Sequence, residues 1–176
     1  VPDDTPEECR AVYLVSAENR LLAYKPHEKS LEERGVLRCP STGRNTPFSM
    51  AVSREGIAHV VFQNGRLYKV DTKDASCEAT DFTPGQGPGF RKFGMGYAPD
   101  PDGAGEKMFV AEINFNRPSK GLASIDPKTN ELSYIGRFSM NPGHALELTP
   151  AGSGPLYGYF LNTPGKGGTL VRIDTT

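Results

Sequence analysis

The sequence predicts an all-β chain, a β-propeller segment of about four blades whose first and last blades are incomplete and which belongs to a larger ring. Three observations carry this expectation. Gly and Pro number 20 and 15 of 176 residues, about a fifth of the chain where ~12% is ordinary. Between them, apolar and polar residues alternate in short runs, the pattern of half-buried strands. A strand-and-turn motif then recurs as "NRLLAYKPHE", "GRLYKVDTKD", "KGLASIDPKT" and "GTLVRIDTT". Its leucines, Leu21, Leu67, Leu122 and Leu170, stand 46, 55 and 48 residues apart, close to the roughly 40–50 residues of a four-stranded propeller blade.

Each unit parses in one order. In the second, "FSMAV" is an inner strand, "AHVVFQ" and "RLYKV" follow, and "CEATDF" is the outer strand. Asn64-Gly65 between the two middle strands predicts a two-residue type I′ hairpin, since both residues tolerate positive φ. The third unit repeats the order as "FGMGYA", "EKMFVAE", "GLASID" and "LSYIGRF". Its greater length comes from "PDPDGAG" and "NFNRPSK", read as hairpin extensions. The first unit offers "AVYLVS", "RLLAY" and "GVLRC" and lacks an inner strand; the fourth offers "HALELT", "PLYGYF" and "TLVRID" and lacks an outer one. Residues 1–10 read as an N-terminal extension, and 11–176 as blades at about 11–40, 47–83, 90–139 and 143–176.

The missing strands have a physical consequence. A propeller protects its strand edges by closing into a ring, whereas an open arc exposes them. The expectation is therefore that further blades come from sequence outside this stretch, from a second copy or from another chain.

The charge balance, 20 Lys+Arg against 21 Asp+Glu, with the basic residues scattered, points away from a nucleic-acid partner. No apolar run approaches the ~20 residues of a membrane span, and "VPDDTPEE" carries no signal peptide or lipobox, so such a segment is expected to have been removed or never present. The cysteines are Cys9, Cys39 and Cys77. Their odd number leaves two readings open: three reduced thiols in the cytosol, or an extracytoplasmic protein with one disulfide and a third Cys paired outside this chain. Without CxxC spacing or Cys/His clustering, a zinc site is not expected.

Candidate chemistry is sparse. Asp71, Asp126 and Asp174 each end the recurring motif; Asp side chains accept backbone N–H groups two residues on, so these are read as structural turn residues. Asp100 and Asp102, two apart before Gly103, begin a calcium-loop pattern that lacks its later ligands, so they are weak metal candidates in a solvated turn. His144 and Glu147 are the catalytic candidates, on or near an inner strand bordering the central channel, although strand alternation sends i and i+3 to opposite faces. "GQGPGF" is read as a flexible crossing between blades. No P-loop, G-x-S-x-G or H-E-x-x-H occurs.

The recurring "RLLAYKP", "RLYKVDT", "GLASIDP" and "TLVRIDT" resemble the signatures of secreted bacterial β-propellers of the NHL and streptogramin-lyase-like kind. The run "LRCPSTGRNTPFSMAVSREGIAHVVFQNGRLYKVDTKDASCEAT", with "FGMGYAPD" and "LYGYFLN", is similar to a group of uncharacterised exported bacterial proteins and lipoproteins. The resemblance implies an extracytoplasmic location, further blades beyond "VRIDTT", a Cys39–Cys77 disulfide and a partner for Cys9 outside this chain. Strand parity keeps Cys9–Cys77 as a rival, because a Cys ending one outer strand and a Cys beginning the next face opposite ways in an ideal blade. The lyases' His/Glu constellation with magnesium does not map onto His27, His59 and His144.

The functional expectation is an exported binding or interaction scaffold that takes a small-molecule, glycan or protein ligand at the channel face, with no cofactor. The alternatives are a propeller lyase or hydrolase with its site at the channel mouth and a calcium or magnesium ion, and a structural surface protein associating through open blade edges.

Overall fold

The computed structural model describes residues 11–40, 45–101, 103, 105–114, 117, 119–139, 145–150, 154–161 and 167–175. Cys9, Asp102, His144 and the 1–10 extension lie outside the described residues. Among the described residues, fourteen strands form four antiparallel sheets of three, four, four and three. The first sheet is β1 (Val12–Val15), β2 (Arg20–Lys25) and β3 (Ser30–Val36); the second is β4 (Pro47–Val52), β5 (Ile57–Phe62), β6 (Leu67–Asp71) and β7 (Cys77–Ala79). The third is β8 (Phe93–Pro99), β9 (Glu106–Glu112), β10 (Leu122–Ile125) and β11 (Leu132–Gly136); the fourth is β12 (Ala145–Pro150), β13 (Leu156–Leu161) and β14 (Gly168–Ile173). Strands pair with their neighbours in sequence, as in up-and-down propeller blades.

The described residues fall into two compact units. One holds the first and second sheets; the other holds the third and fourth, with the turn at 64–66 and the crossing that starts at Asp81. In every sheet the motif leucine lies on one face, here termed the front, and alternation assigns the remaining residues. In the first unit, Leu21, Tyr13 and Val15 on the front of the first sheet pack with Val60, Tyr68 and Val70 on the back of the second. In the second unit, Phe109, Ala111 and Leu122 on the front of the third sheet pack with Leu148, Phe160 and Ile173 of the fourth. Both interfaces are front-to-back. Each fully buried Phe, Tyr or Leu side chain contributes about 1.5–3 kcal/mol to them.

Local chemistry explains the hairpins. Asp71 Oδ1 accepts the N–H of Lys73 at 2.8 Å, and Asp126 Oδ1 those of Lys128 and Thr129 at 2.7 and 3.1 Å. Four residues on, Ala75 and Asn130 adopt left-handed φ of 60° and 59° and close the turns onto the Asp71 and Asp126 carbonyls. Lys29, four residues after Lys25, takes the same conformation without an Asp, so the backbone shape outlasts its side-chain cap.

Three expectations need correction. The outer strand of the first sheet is Ser30–Val36, not "GVLRC": Lys25 pairs with Ser30 and Arg20 with Val36, with a bulge after Leu21. The charged "SLEER" is tolerated because an outer strand meets solvent. Asn64-Gly65 is not a type I′ turn, since only Gly65 has positive φ; Asn64 instead accepts the Arg66 N–H through Oδ1. A side chain at Gly65 would also stand 2.8 Å from the Arg91 carbonyl, so the position demands glycine twice over. Finally, "GQGPGF" is tied down rather than slack: Gly85 bonds Phe90, Gly89 and Phe90 bond Gln86, and Phe90 is buried.

Among the described residues no helix is long and apolar enough to cross a membrane.

Candidate functional site

Among the described residues, the sequence-nominated carboxylates form no metal-holding cluster. Glu147 shares a cross-strand row with Tyr159 and Leu170 and is exposed on the front face of the fourth sheet. Side chains of a strand project from the faces of its sheet, so β12, an edge strand, presents Glu147 on a face rather than at the sheet's edge. Asp100 sits in the β8–β9 hairpin, where its carboxylate meets the Lys107 ammonium at 3.0 Å and its backbone closes onto Gly103 and Gly105. A lysine thus occupies one side of the proposed cation ligand. Asp174 follows β14, exposed, and borders two grooves of about 400 and 520 Å³. Among the described residues no group of three His, Cys, Asp or Glu side chains could hold a metal ion.

Cys39 and Cys77 form a disulfide with Cα atoms 5.0 Å apart. The parity objection dissolves because β3 ends at Val36, leaving Cys39 in the segment beyond it, where strand alternation no longer dictates its direction. His59 lies on the front of the second sheet between Ala51 and Lys69 in the ladder and is buried. Burial, with the Lys69 charge adding to it, lowers its imidazole pKa to about 4.

The most built polar assembly stands at the end of β9, where sequence reasoning saw only a hairpin extension. Glu112 is 4% exposed. Its carboxylate accepts both terminal nitrogens of the Arg117 guanidinium and, at 3.0 Å, the N–H of Lys120. The Ser119 hydroxyl donates to the Glu112 carbonyl at 2.6 Å. The Lys120 ammonium donates to the Gly89 carbonyl at 2.8 Å, and the Tyr134 hydroxyl to the Lys120 carbonyl at 2.9 Å. Ile113 bonds Lys92 through its backbone.

Arg117, Ser119 and Lys120, between β9 and β10, are thereby tied to the end of β9, to the crossing before β8 and to the outer strand β11. A charge-assisted, forked contact of this kind fixes direction as well as energy. The arrangement organises the backbone around Arg117, Ser119 and Lys120. Its sequence signal was a lone Glu ending the otherwise apolar "MFVAEI", with an Arg five residues on.

No protein-family model matches the chain, and no curated protein matches it. Solved structures do. The Dos1 propeller aligns with a TM-score of 0.52 and 15% identity, over 95% of this chain and 46% of its own. A structural-genomics protein of unknown function from Bacteroides thetaiotaomicron aligns with a TM-score of 0.55 and 13% identity, over 88% of this chain and 40% of its own. The likeness establishes the β-propeller fold. The chain spans less than half the length of either of these structures.

Proposed function

We propose that this chain is part of an extracytoplasmic β-propeller that acts as a binding scaffold, with ligands taken at the end of the third sheet that carries the β9–β10 loop. The observation that carries the reading is the pinned loop itself. It is a long connection whose Arg117, Ser119 and Lys120 are held by the buried Glu112, on a sheet whose β9 is buried on both faces. Loops held by a rigid framework are where binding concentrates. Arg117 keeps 42% of its side chain in solvent, so a ligand bearing a carboxylate, a hydroxyl pair or a carbonyl can reach it. Residues 11–176 form the propeller segment in this reading, with 1–10 as an extension and the remaining blades supplied from outside it.

The extracytoplasmic assignment draws on the Cys39–Cys77 disulfide, a bond that persists in oxidising compartments. Thiol alkylation of the native protein, with and without prior reduction, checks it: two additional alkylated cysteines after reduction agree, and full alkylation without reduction does not.

The binding reading is tested by titrating neutral and acidic oligosaccharides and small dicarboxylates against amide hydrogen exchange. A ligand that protects residues 112–121 and loses affinity in Arg117→Ala supports the site. Binding that leaves those amides unprotected, or turnover of the ligand, overturns it.

A further inference from the structure

The register shows which sheet faces lack a neighbour. In the third sheet, Ala111 pairs with Leu122; in the fourth, Tyr159 pairs with Leu170, the equivalent position. Ala111 and Leu122 are buried against the fourth sheet, yet Tyr159 and Leu170 are 45% and 62% exposed. The front of the fourth sheet is therefore bare where the front of the third is covered.

The first sheet shows the converse. Its pair Val12 and Tyr24 matches Leu156 and Ile173 of the fourth sheet, counted from the motif leucines. Leu156 and Ile173 on the back of the fourth sheet are 1% and 7% exposed, whereas Val12 and Tyr24 are 52% and 36% exposed. Leu31, paired with Tyr24, continues the bare surface. Eight of the ten exposed large hydrophobic residues among those described lie on these two faces, so the exposure is localised rather than scattered. Contiguous apolar exposure of this kind marks an interaction surface.

We propose that the front face of the fourth sheet, around Tyr159, Leu161 and Leu170, docks on the back face of the first sheet of a second copy, around Val12, Tyr24 and Leu31. The contact continues, in sense and in register, the two front-to-back interfaces already present within the chain. A second copy is the occupant because it carries the one bare back face of matching register that these residues display. The contact is heterologous: two different patches meet head to tail, so the assembly closes into a ring if the rotation permits and otherwise grows as an open array. The inference rests on the propeller-segment reading and on no property of the β9–β10 loop.

Sedimentation velocity on the 176-residue chain, in a Cys9→Ser background so that no intermolecular disulfide contributes, tests it. The expected result is concentration-dependent assembly in multiples of the 19.1 kDa chain. Leu170→Asp blocks one patch and Leu31→Asp the other; both positions are exposed, and far-UV circular dichroism reports whether each variant keeps its fold. Each variant alone is expected to be monomeric, while an equimolar mixture forms a one-to-one pair through the two patches left intact. A wild-type chain that stays monomeric with native circular dichroism overturns the second copy as occupant and leaves the propeller-segment reading standing. Variants that each still dimerise, or a mixture that does not associate, overturn the head-to-tail contact.

Discussion

Gly96 on β8 lies against Leu148 on β12: a Cβ placed on Gly96 would sit 3.2 Å from both the Leu148 Cβ and its carbonyl oxygen. The inner strands of the third and fourth sheets approach this closely because the glycine keeps their contact free of side-chain bulk. The position is governed by space, not by unusual backbone geometry. Gly96→Val is expected to wedge the two sheets apart and cost about 1–3 kcal/mol, the usual range for overpacking. Urea unfolding would show it as a lower midpoint, and an unchanged midpoint would mean that the sheets yield freely there.

The disulfide closes a loop with a sequence separation of 38. Chain entropy assigns a crosslink of that span a stabilisation of about 2–4 kcal/mol. Cys39→Ala with Cys77→Ala should lower the unfolding midpoint accordingly and raise hydrogen exchange at β7, a strand of only three residues. Unchanged stability in the double variant would assign the bond no part in holding the first unit.

His59 titrates low in the folded chain, at about 4, against about 6.5 for an unfolded histidine. The folded state therefore resists protonation. Its contribution is complete above about pH 6.5 and is lost progressively as pH falls towards 4, by up to about 3 kcal/mol. His59→Gln should flatten the stability profile across that window while leaving carboxylate titration below it. A wild-type profile level between pH 6.5 and 4 would contradict the burial.

The three equivalent turns also offer a stabilising change. Lys29 holds φ of 51° and is solvent-exposed, and the left-handed region costs a residue with a Cβ about 1–2 kcal/mol. Lys29→Gly is expected to gain up to about 1 kcal/mol, since relief of strain outweighs the extra freedom of the unfolded glycine. Thermal unfolding checks the sign. The same replacement at Ala75 gains less, because its methyl is buried in the first unit's core.

The legible part of the molecule was the part governed by local chemistry. Leu21, Leu67, Leu122 and Leu170 do occupy matching strands in four sheets, and alternation and turn residues locate thirteen of the fourteen strands. β3 escaped because an outer strand facing solvent carries no apolar period, and "SLEER" reads as a loop. Glu112 and Arg117 escaped because their relationship is made by a loop folding back, which no periodicity encodes. His59 looked like an isolated strand residue, and burial, with the cross-strand Lys69 charge adding to it, lowers its titration.

The repeat length and the order of strands within each sheet were determined by the sequence itself, since hydrophobic alternation and turn chemistry act between near neighbours. The tertiary structure decided what depends on distance across the chain. It placed Cys39 beyond its strand and so within reach of Cys77, buried Glu112 beneath Arg117, and left Tyr159 and Leu170 exposed where their counterparts Ala111 and Leu122 are covered. The physical reason is that burial belongs to a pair of packed faces, and a strand's own residues state only which face is apolar, not whether another sheet covers it.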